Sequence, residues 1–327
     1  PVEWETDTTF EEKILIIEYE TDYFTIFDTV NSLYKIIISA RLNEKPDSNI
    51  ENRLIKTLSK VIKNKKVNLS LLSEILSVPT FAEIESEMKN IDPLKIYKTI
   101  DDLNYLFGTQ LKEELLKKSE EIKNNLKKIW PQGIDERKLI ETIWKLLLHS
   151  KDEKIKNTIV NYVNGNSMTL AKSALNVFIR IDCPERKLIS KIFFEKWKNN
   201  SVVLDNWFAY SASIETAKKN EDIEALFENE YFDLKSPNTL RSILNAYATR
   251  NSLFHAIDGT GYKYIAKLII KFDKQNPIII SRFSKIFSNY KNYTEPYKSN
   301  MLEVLRYICS KKLSTNTREV IDAIIDG

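Results

Sequence analysis

Glycine and cysteine are scarce in this sequence, and their scarcity disfavours several classes of protein. The 327 residues include 6 glycines, 9 prolines and 2 cysteines. Sandwiches and barrels need many tight turns, which glycine and proline normally supply, so an all-β fold is disfavoured. Cys183 and Cys309 are too few for a disulfide framework and favour a reducing compartment, so we expect a cytoplasmic protein.

Long apolar runs and an excess of one charge are also missing. A membrane helix needs about 20 consecutive apolar residues, whereas Asn31, Ser32 and Lys35 interrupt even the richest patch. The 49 Lys and Arg residues nearly balance the 46 Asp and Glu residues. The lysines of 112–128 have glutamates three or four residues away, which is typical of a solvated helix. We therefore expect neither a membrane nor a nucleic acid as partner.

What the sequence does contain is helical patterning along its whole length. Apolar residues recur at helical spacing in roughly seventeen segments joined by short polar links, among them 22–42, 50–63 and 110–130. The predicted fold is all-α: a curved helical stack of the α-solenoid type with armadillo- or HEAT-like pairs. We expect one domain over residues 1–327, with at most a softer seam near Pro131-Gln132-Gly133.

Several helix starts are marked by polar residues. Thr9, followed by Glu12, predicts a capping box. Asn68 and Asp135 each precede an apolar helical segment and are predicted to cap it.

The stretch 236–286 carries the most specific signals. Ser236-Pro237 and Asn276-Pro277 each place a short polar residue before a proline and an apolar helix. The polar side chain can accept a hydrogen bond from a first-turn amide, and proline at the first helical position loses none. Between them, Asp258-Gly259-Thr260-Gly261 predicts a turn whose glycines have a conformational role and whose aspartate caps the next helix. A lone Gly-x-Gly is weak evidence for a phosphate loop.

These residues resemble a known family. The run Phe254-His255, followed by Asp258-Gly259-x-Gly261-Tyr262 at this distance from Ser236-Pro237-Asn238, is similar to the C-terminal helical domain of aminopeptidase N. These are zinc metallo-aminopeptidases of bacterial and protozoan type. The match extends from about residue 34 to about residue 325 and is densest from Trp197 to Arg282, where it includes the run 203–208. Ile91-Asp92-Pro93 belongs to the looser part, between residues 44 and 196. The structural signature of the domain is Pro237, Asn238, His255, Asp258, Gly259, Gly261 and Tyr262.

The resemblance implies a role within a longer protein. The sequence starts Pro1-Val2-Glu3-Trp4, without an initiator methionine, and we expect a fragment of a longer polypeptide. The parent would be a zinc-dependent aminopeptidase that removes N-terminal residues from peptides. This chain would be a non-catalytic cup that covers the active site, gates peptide access and lines the substrate channel. Its partners would be the N-terminal and catalytic domains of the same polypeptide and peptide substrates, and a bare docking surface would favour self-association.

The catalytic motifs of that family do not occur in this chain. The zinc site needs His-Glu-x-x-His on a helix with a further glutamate, and the substrate amine is held by a Gly-x-Met-Glu-Asn stretch. His149 and His255 are the only histidines and lie far apart in the sequence. We predict no catalytic residue and no metal ligand here: the isolated chain is not an enzyme, and the zinc belongs to the parent's catalytic domain. Both histidines are interpreted as helix-end residues.

Arg241 and Arg282 are the strongest candidate functional residues. Each lies early in a helix among apolar neighbours, and a buried guanidinium needs a carboxylate, a carbonyl or water as partner. The resemblance implies that both face the substrate channel and that Ile278 lies beside the pocket for the first substrate side chain. An apolar Ile278 would favour hydrophobic first residues modestly, since a methylene is worth about 1–3 kcal/mol.

Pattern alone leaves other functions open. An independent armadillo-like scaffold, which binds a protein or an extended peptide along its concave face, fits degenerate helical pairs equally well. A nucleic-acid binder is disfavoured by the balanced charge, and salt-dependent binding of single-stranded RNA or DNA would revive it.

Overall fold

The computed structural model describes residues 8–129, 131–216 and 220–327, so that Pro1-Val2-Glu3-Trp4 and Trp130 lie outside the described residues. Within these ranges the chain forms eighteen α-helices and four short 3-10 helices. The helices are α1 (Phe10–Tyr19), α2 (Tyr23–Leu42), α3 (Ser48–Lys63), α4 (Leu69–Leu76), α5 (Phe81–Ser86), α6 (Pro93–Gln110), α7 (Lys112–Ile122), α8 (Ile134–His149), α9 (Glu153–Val163), α10 (Met168–Asn176), α11 (Pro184–Trp197), α12 (Ser201–Ser213), α13 (Asn220–Phe227), α14 (Pro237–Arg250), α15 (Thr260–Phe272), α16 (Pro277–Ser284), α17 (Tyr297–Cys309) and α18 (Thr315–Asp326).

This architecture confirms the prediction of an all-α stack of packed helices. The β-type pairing in the described ranges is an isolated parallel bridge between Ile91 and Tyr293. A search of the same ranges for a helix with the length and apolar character of a membrane span finds none.

Internal contacts divide the chain into two compact units. Unit 1 comprises Pro1–Thr80 and Lys98–Val177, and unit 2 comprises Phe81–Tyr97 and Phe178–Gly327. The division therefore does not fall at Pro131-Gln132-Gly133, where the sequence suggests a seam. That residues 1–327 act as one domain stays a prediction.

Unit 1 is built around buried aromatic rings that link its helices. The rings of Tyr34 on α2 and Phe107 on α6 are buried, with their centroids 5.8 Å apart. The Tyr34 hydroxyl donates to the Ile75 carbonyl on α4 at 3.0 Å. Helices α4 and α8 pack along each other, and Trp144 of α8 meets the ring of Tyr162 on α9. Burial of these rings adds to the hydrophobic stabilisation that the surrounding aliphatic side chains supply.

Of the caps predicted at Thr9, Asn68 and Asp135, the first two are present. The Thr9 hydroxyl accepts a hydrogen bond from the Glu12 amide at 3.3 Å, and the Glu12 carboxylate accepts one from the Thr9 amide at 2.7 Å. Asn68 accepts from the Leu71 amide at 2.9 Å. The third prediction is wrong: α8 begins at Ile134, so Asp135 lies in the first turn, where its carboxylate accepts from the Ser70 hydroxyl at 2.6 Å.

The predicted long helix over 110–130 is also wrong. Helix α7 ends at Ile122 and is followed by a 3-10 turn, Asn125–Lys127. Beyond the break, the buried Arg137 guanidinium donates to the carbonyls of Lys128 and Gln132 at 2.9 and 3.0 Å. These carbonyls therefore bond to a side chain rather than to the next helical turn. The lysine–glutamate pairing expected here is present in α7, where Lys123 pairs with Glu120 and Lys118 with Glu121.

Unit 2 consists of pairs of packed helices, and hydrogen bonds from side chains link some of the helix ends. Helix α12 packs along α14, α15 along α17, and α16 along α18. The buried Asp273 carboxylate accepts hydrogen bonds from the Ser314 amide and hydroxyl at 2.5 and 2.8 Å, and from the Thr317 hydroxyl at 2.5 Å. Arg318 donates to the Cys309 carbonyl at the end of α17. Both contacts satisfy helix-terminal backbone groups that would otherwise lack partners.

Gly108 gives a direct test of the packing in unit 1. A Cβ atom at this position of α6 would overlap the Leu146 carbonyl oxygen of α8. Alanine normally stabilises a helix interior by about 1 kcal/mol relative to glycine. We expect the opposite sign for Gly108→Ala, a loss of about 1–3 kcal/mol in the free energy of unfolding, because the two helices must move apart.

Urea denaturation measures this loss. The matched control is Gly165→Ala, whose added Cβ would lie 3.2 Å from the nearest atom, the Tyr162 carbonyl oxygen. A Gly108→Ala variant as stable as the wild type would show that α6 and α8 do not approach this closely.

Candidate functional site

The segment after α14 is fixed by one asparagine. Asn251 is buried, and its side-chain amide donates to the carbonyls of Ala212 and Ile214 at 3.1 and 2.9 Å. Its side-chain oxygen accepts from the Leu253 amide at 3.0 Å and starts the 3-10 helix Ser252–His255. Helix α14 therefore ends at Arg250, and a separate 3-10 helix follows it.

His255 lies inside a shell of aromatic rings. Its imidazole ring stacks on Tyr293 with centroids 5.6 Å apart and lies 5.0 Å from Phe81 and 4.7 Å from Phe254. The imidazole Nδ1 and the Tyr262 hydroxyl are 2.8 Å apart and share a hydrogen bond. Nδ1 and the Tyr262 hydroxyl therefore satisfy each other inside the apolar shell.

Burial controls the protonation of this pair. Removing the imidazolium from water lowers the pKa of His255 from 6.5 to about 3. The same burial raises the pKa of the Tyr262 phenol far above its usual range. Both groups are neutral at neutral pH and poorly placed to exchange protons with a substrate, so their role is structural.

The two glycines of the turn meet different demands. Gly259 has a φ of +70°, and a Cβ there would lie 2.9 Å from the Asn300 side chain. A Cβ at Gly261 would overlap the carbonyl oxygens of Leu253 and Phe254, so the start of α15 contacts the 3-10 helix backbone to backbone. Asp258 accepts from the Thr260 amide at 3.0 Å and its hydroxyl at 2.7 Å, which fastens the first turn of α15.

Both proline-marked helices start where the sequence places them, but the predicted side-chain caps are absent. Helices α14 and α16 begin at Pro237 and Pro277, and neither Ser236 nor Asn276 accepts a capping hydrogen bond. The Asn276 side chain instead donates to the Leu234 carbonyl at 3.4 Å. Nothing in the structure explains why the Ser236 side chain makes no capping hydrogen bond.

The three candidate channel residues are exposed side chains on two neighbouring helices. Arg241 lies on α14, Ile278 and Arg282 lie on α16, and α14 and α16 are in contact. Ile278 is 57% exposed. Ile278 and Arg282 are four residues apart and so share one face of α16. The expectation that the arginines are buried is wrong, because each guanidinium extends past its apolar neighbours to solvent.

Arg241 borders a shallow groove of about 290 Å³ between α12 and α14. Its guanidinium donates to the Asn238 side chain at 2.9 Å. Asn245 and Arg250 also line this groove and were missed by the sequence analysis. The signal was present, since polar residues at 238, 241, 245 and 249 recur at helical spacing on a helix with an apolar opposite side.

A zinc ion does not fit the described residues. No three histidine, cysteine, aspartate or glutamate side chains in the described ranges are grouped so that they could hold a metal ion. His255 is buried and engaged with Tyr262, and His149 is the last residue of α8. The described residues therefore offer no tetrahedral set of zinc ligands.

The family is decided by a match along almost the entire chain. The family model described as "Domain of unknown function (DUF3458_C) ARM repeats" matches residues 10–326. The chain belongs to this family. Curated relatives of this family member are named aminopeptidase N, which confirms the resemblance seen in the sequence.

Two relatives and one solved structure illustrate the similarity. Aminopeptidase N of Escherichia coli is 24% identical over 314 residues, which cover 94% of this chain and 36% of the relative. Aminopeptidase N of Haemophilus influenzae is 24% identical over 329 residues, covering 98% and 38% respectively. The crystal structure of Legionella pneumophila aminopeptidase A in complex with aspartic acid matches with a TM-score of 0.87 at 20% identity, over 98% of this chain and 39% of that chain. The last match shows a shared fold, and this family member spans less than two fifths of the length of each.

The buried His255 predicts a pH dependence of stability. Between its folded pKa of about 3 and its unfolded value of 6.5, the unfolded chain binds a proton that the folded chain does not. The free energy of unfolding therefore falls as the pH falls through this window. We expect a loss on the order of 1–2 kcal/mol between pH 6.5 and about pH 5, measured by urea denaturation.

His255→Phe isolates this contribution. The variant keeps the ring volume but cannot take up a proton, so its stability should change less over the same pH range. His149→Gln serves as the control for the other histidine. An unchanged pH dependence in His255→Phe would show that His255 is not held neutral by burial.

Proposed function

We propose that this chain is the C-terminal helical domain of a zinc-dependent aminopeptidase that removes N-terminal residues from peptides. One observation carries the proposal: relatives named aminopeptidase N match 94–98% of this chain, while the chain covers only 36–38% of their length. The zinc ligands and catalytic residues would then lie in the remainder of the polypeptide. The low cysteine count suits a reducing compartment, and we place the protein in the cytoplasm.

Within that protein, this domain would cover the active site and gate the access of peptides. The exposed side chains on α14 and α16 support this role. Arginine presents five N–H donors, which suit the carbonyl and carboxylate groups of a peptide chain. Arg241 and Arg282 would hold the peptide beyond its first residues, and removing peptide and protein from bulk water would strengthen these contacts.

Ile278 would lie beside the side chain of the first substrate residue. Its 57% exposure leaves apolar surface available for such a contact. Burial of apolar area is favourable by about 25 cal/mol per Å². The contact would therefore favour hydrophobic first residues, although by a modest factor, because a single side chain offers little area.

Kinetics of the full-length polypeptide test the role of the arginines. Arg241→Ala and Arg282→Ala should each raise KM for a pentapeptide by about tenfold, since a hydrogen bond to a charged group contributes about 1.5–3 kcal/mol. KM for an aminoacyl-4-nitroanilide should change little, because this substrate has a single amino acid and no peptide chain for the arginines to hold. The matched control is Arg306→Ala, which removes another exposed arginine of unit 2, on α17.

Two outcomes would contradict the proposal. A full-length protein without metal-dependent peptide hydrolysis would exclude the aminopeptidase. A stoichiometric partner unrelated to peptidases would then favour the armadillo-like scaffold instead. If the arginine variants raised KM equally for the pentapeptide and the nitroanilide, the aminopeptidase assignment would stand. The arginines would then have no role in holding the peptide.

A further inference from the structure

A second cavity in unit 2 shares Asp205 with the groove beside Arg241, and its other lining residues are different. It has a volume of about 450 Å³ and lies beside the end of α11 and the first turns of α12 and α14. Leu204 and Phe208, both buried, supply its apolar surface. Tyr231 adds an aromatic wall and is itself held by Phe194, whose ring meets it edge-on at 5.5 Å. This volume lies in the usual range for small-molecule sites, roughly 300–1,000 Å³.

Two carboxylates line the same cavity. Asp205 is partly buried, and one of its oxygens accepts a hydrogen bond from the buried Thr239 hydroxyl at 2.7 Å. Asp233 is exposed, and one of its oxygens accepts from the Lys235 amide at 2.8 Å. Both side chains are therefore oriented by hydrogen bonds from uncharged donors, a hydroxyl and a backbone amide. In the described ranges, neither carboxylate lies within ion-pair distance of a lysine or an arginine.

The remaining charge in the lining is already engaged. The Lys198 ammonium group lies 2.7 Å from Glu195, one turn earlier on the chain. The cavity therefore presents two carboxylates, and the lysine among its lining residues is paired with another carboxylate. A partly buried carboxylate without a cationic partner loses hydration that no ion pair replaces, so a bound cation would be favourable here.

We propose that this cavity binds an organic cation: a primary ammonium or guanidinium group on an apolar stem. The cationic head would contact Asp205 and Asp233, and the methylene stem would lie along Leu204, Phe208 and Tyr231. The aromatic ring adds a cation–π contribution. The inference concerns binding to this chain alone and does not depend on the proposed peptidase function.

Two sources carry this chemistry: a lysine or arginine side chain of a peptide, and a free diamine. Isothermal titration calorimetry on the purified protein distinguishes the two sources with two probes. One is lysine amide acetylated on its α-amino group, here called acetyl-lysine-amide, whose side-chain ammonium group stays free. The other is cadaverine. We expect both to bind, with affinity that falls as salt is added, because the contact is between charges near the surface. Pentanol, which keeps the stem but lacks the charge, should not bind.

Isosteric variants locate the site. Asp205→Asn keeps the acceptor for Thr239, and Asp233→Asn keeps the acceptor for the Lys235 amide, so both should fold. Each should weaken cadaverine binding by roughly tenfold or more, since a charge-assisted contact is lost. The control is Glu230→Gln, which removes a neighbouring exposed charge that does not line the cavity and should leave binding unchanged.

Several results would overturn the inference. These are no binding of either probe at millimolar concentration, binding that survives in both aspartate variants, and pentanol binding as well as cadaverine does. Binding of acetyl-lysine-amide without cadaverine assigns the site to peptides, and the reverse assigns it to free diamines. If Asp205→Asn does not fold, the exposed Asp233→Asn decides the matter.

Discussion

The backbone contact at Gly261 is the constraint on which the described part of unit 2 most depends. A side chain there would overlap the carbonyl oxygens of Leu253 and Phe254, so only glycine lets α15 begin against the preceding 3-10 helix. The contact brings the Tyr262 hydroxyl to 2.8 Å from His255 Nδ1, inside a shell of aromatic rings. Low polarity around that hydrogen bond strengthens it and makes its loss costly. The contact thus joins the segment that follows α14 to the start of α15.

This constraint separates the residues that identify the family from those proposed to meet a ligand. The run from Phe254 to Tyr262 is specific because backbone contact, left-handed geometry and buried hydrogen bonding each restrict the residue type. Arg241, Ile278 and Arg282 are exposed, and the buried core does not restrict their identity.

The sequence predicted the fold class and most helix starts, because these depend on local signals. Apolar periodicity and caps such as Thr9 and Asn68 involve residues three or four positions apart. The failures depend on contacts that helical spacing does not report. The carbonyls of Lys128 and Gln132, near the end of the predicted helix over 110–130, bond to the Arg137 side chain rather than to a further helical turn. Apolar periodicity does not show which helices pack together. The exposure of Arg241 depends on that packing, and so does the cavity lined by Asp205, Tyr231 and Asp233.

Photo-crosslinking tests the central claim, that the face carrying Ile278 meets the substrate peptide. A benzophenone amino acid at position 278 of the full-length polypeptide is irradiated with a labelled peptide that has a free amino terminus. Position 257 is the control, because Ile257 is 60% exposed in the same unit, close to the 57% of Ile278. The account predicts strong labelling at 278 that excess unlabelled peptide suppresses, and little at 257. No labelling at 278, or equal labelling at both positions, would contradict it.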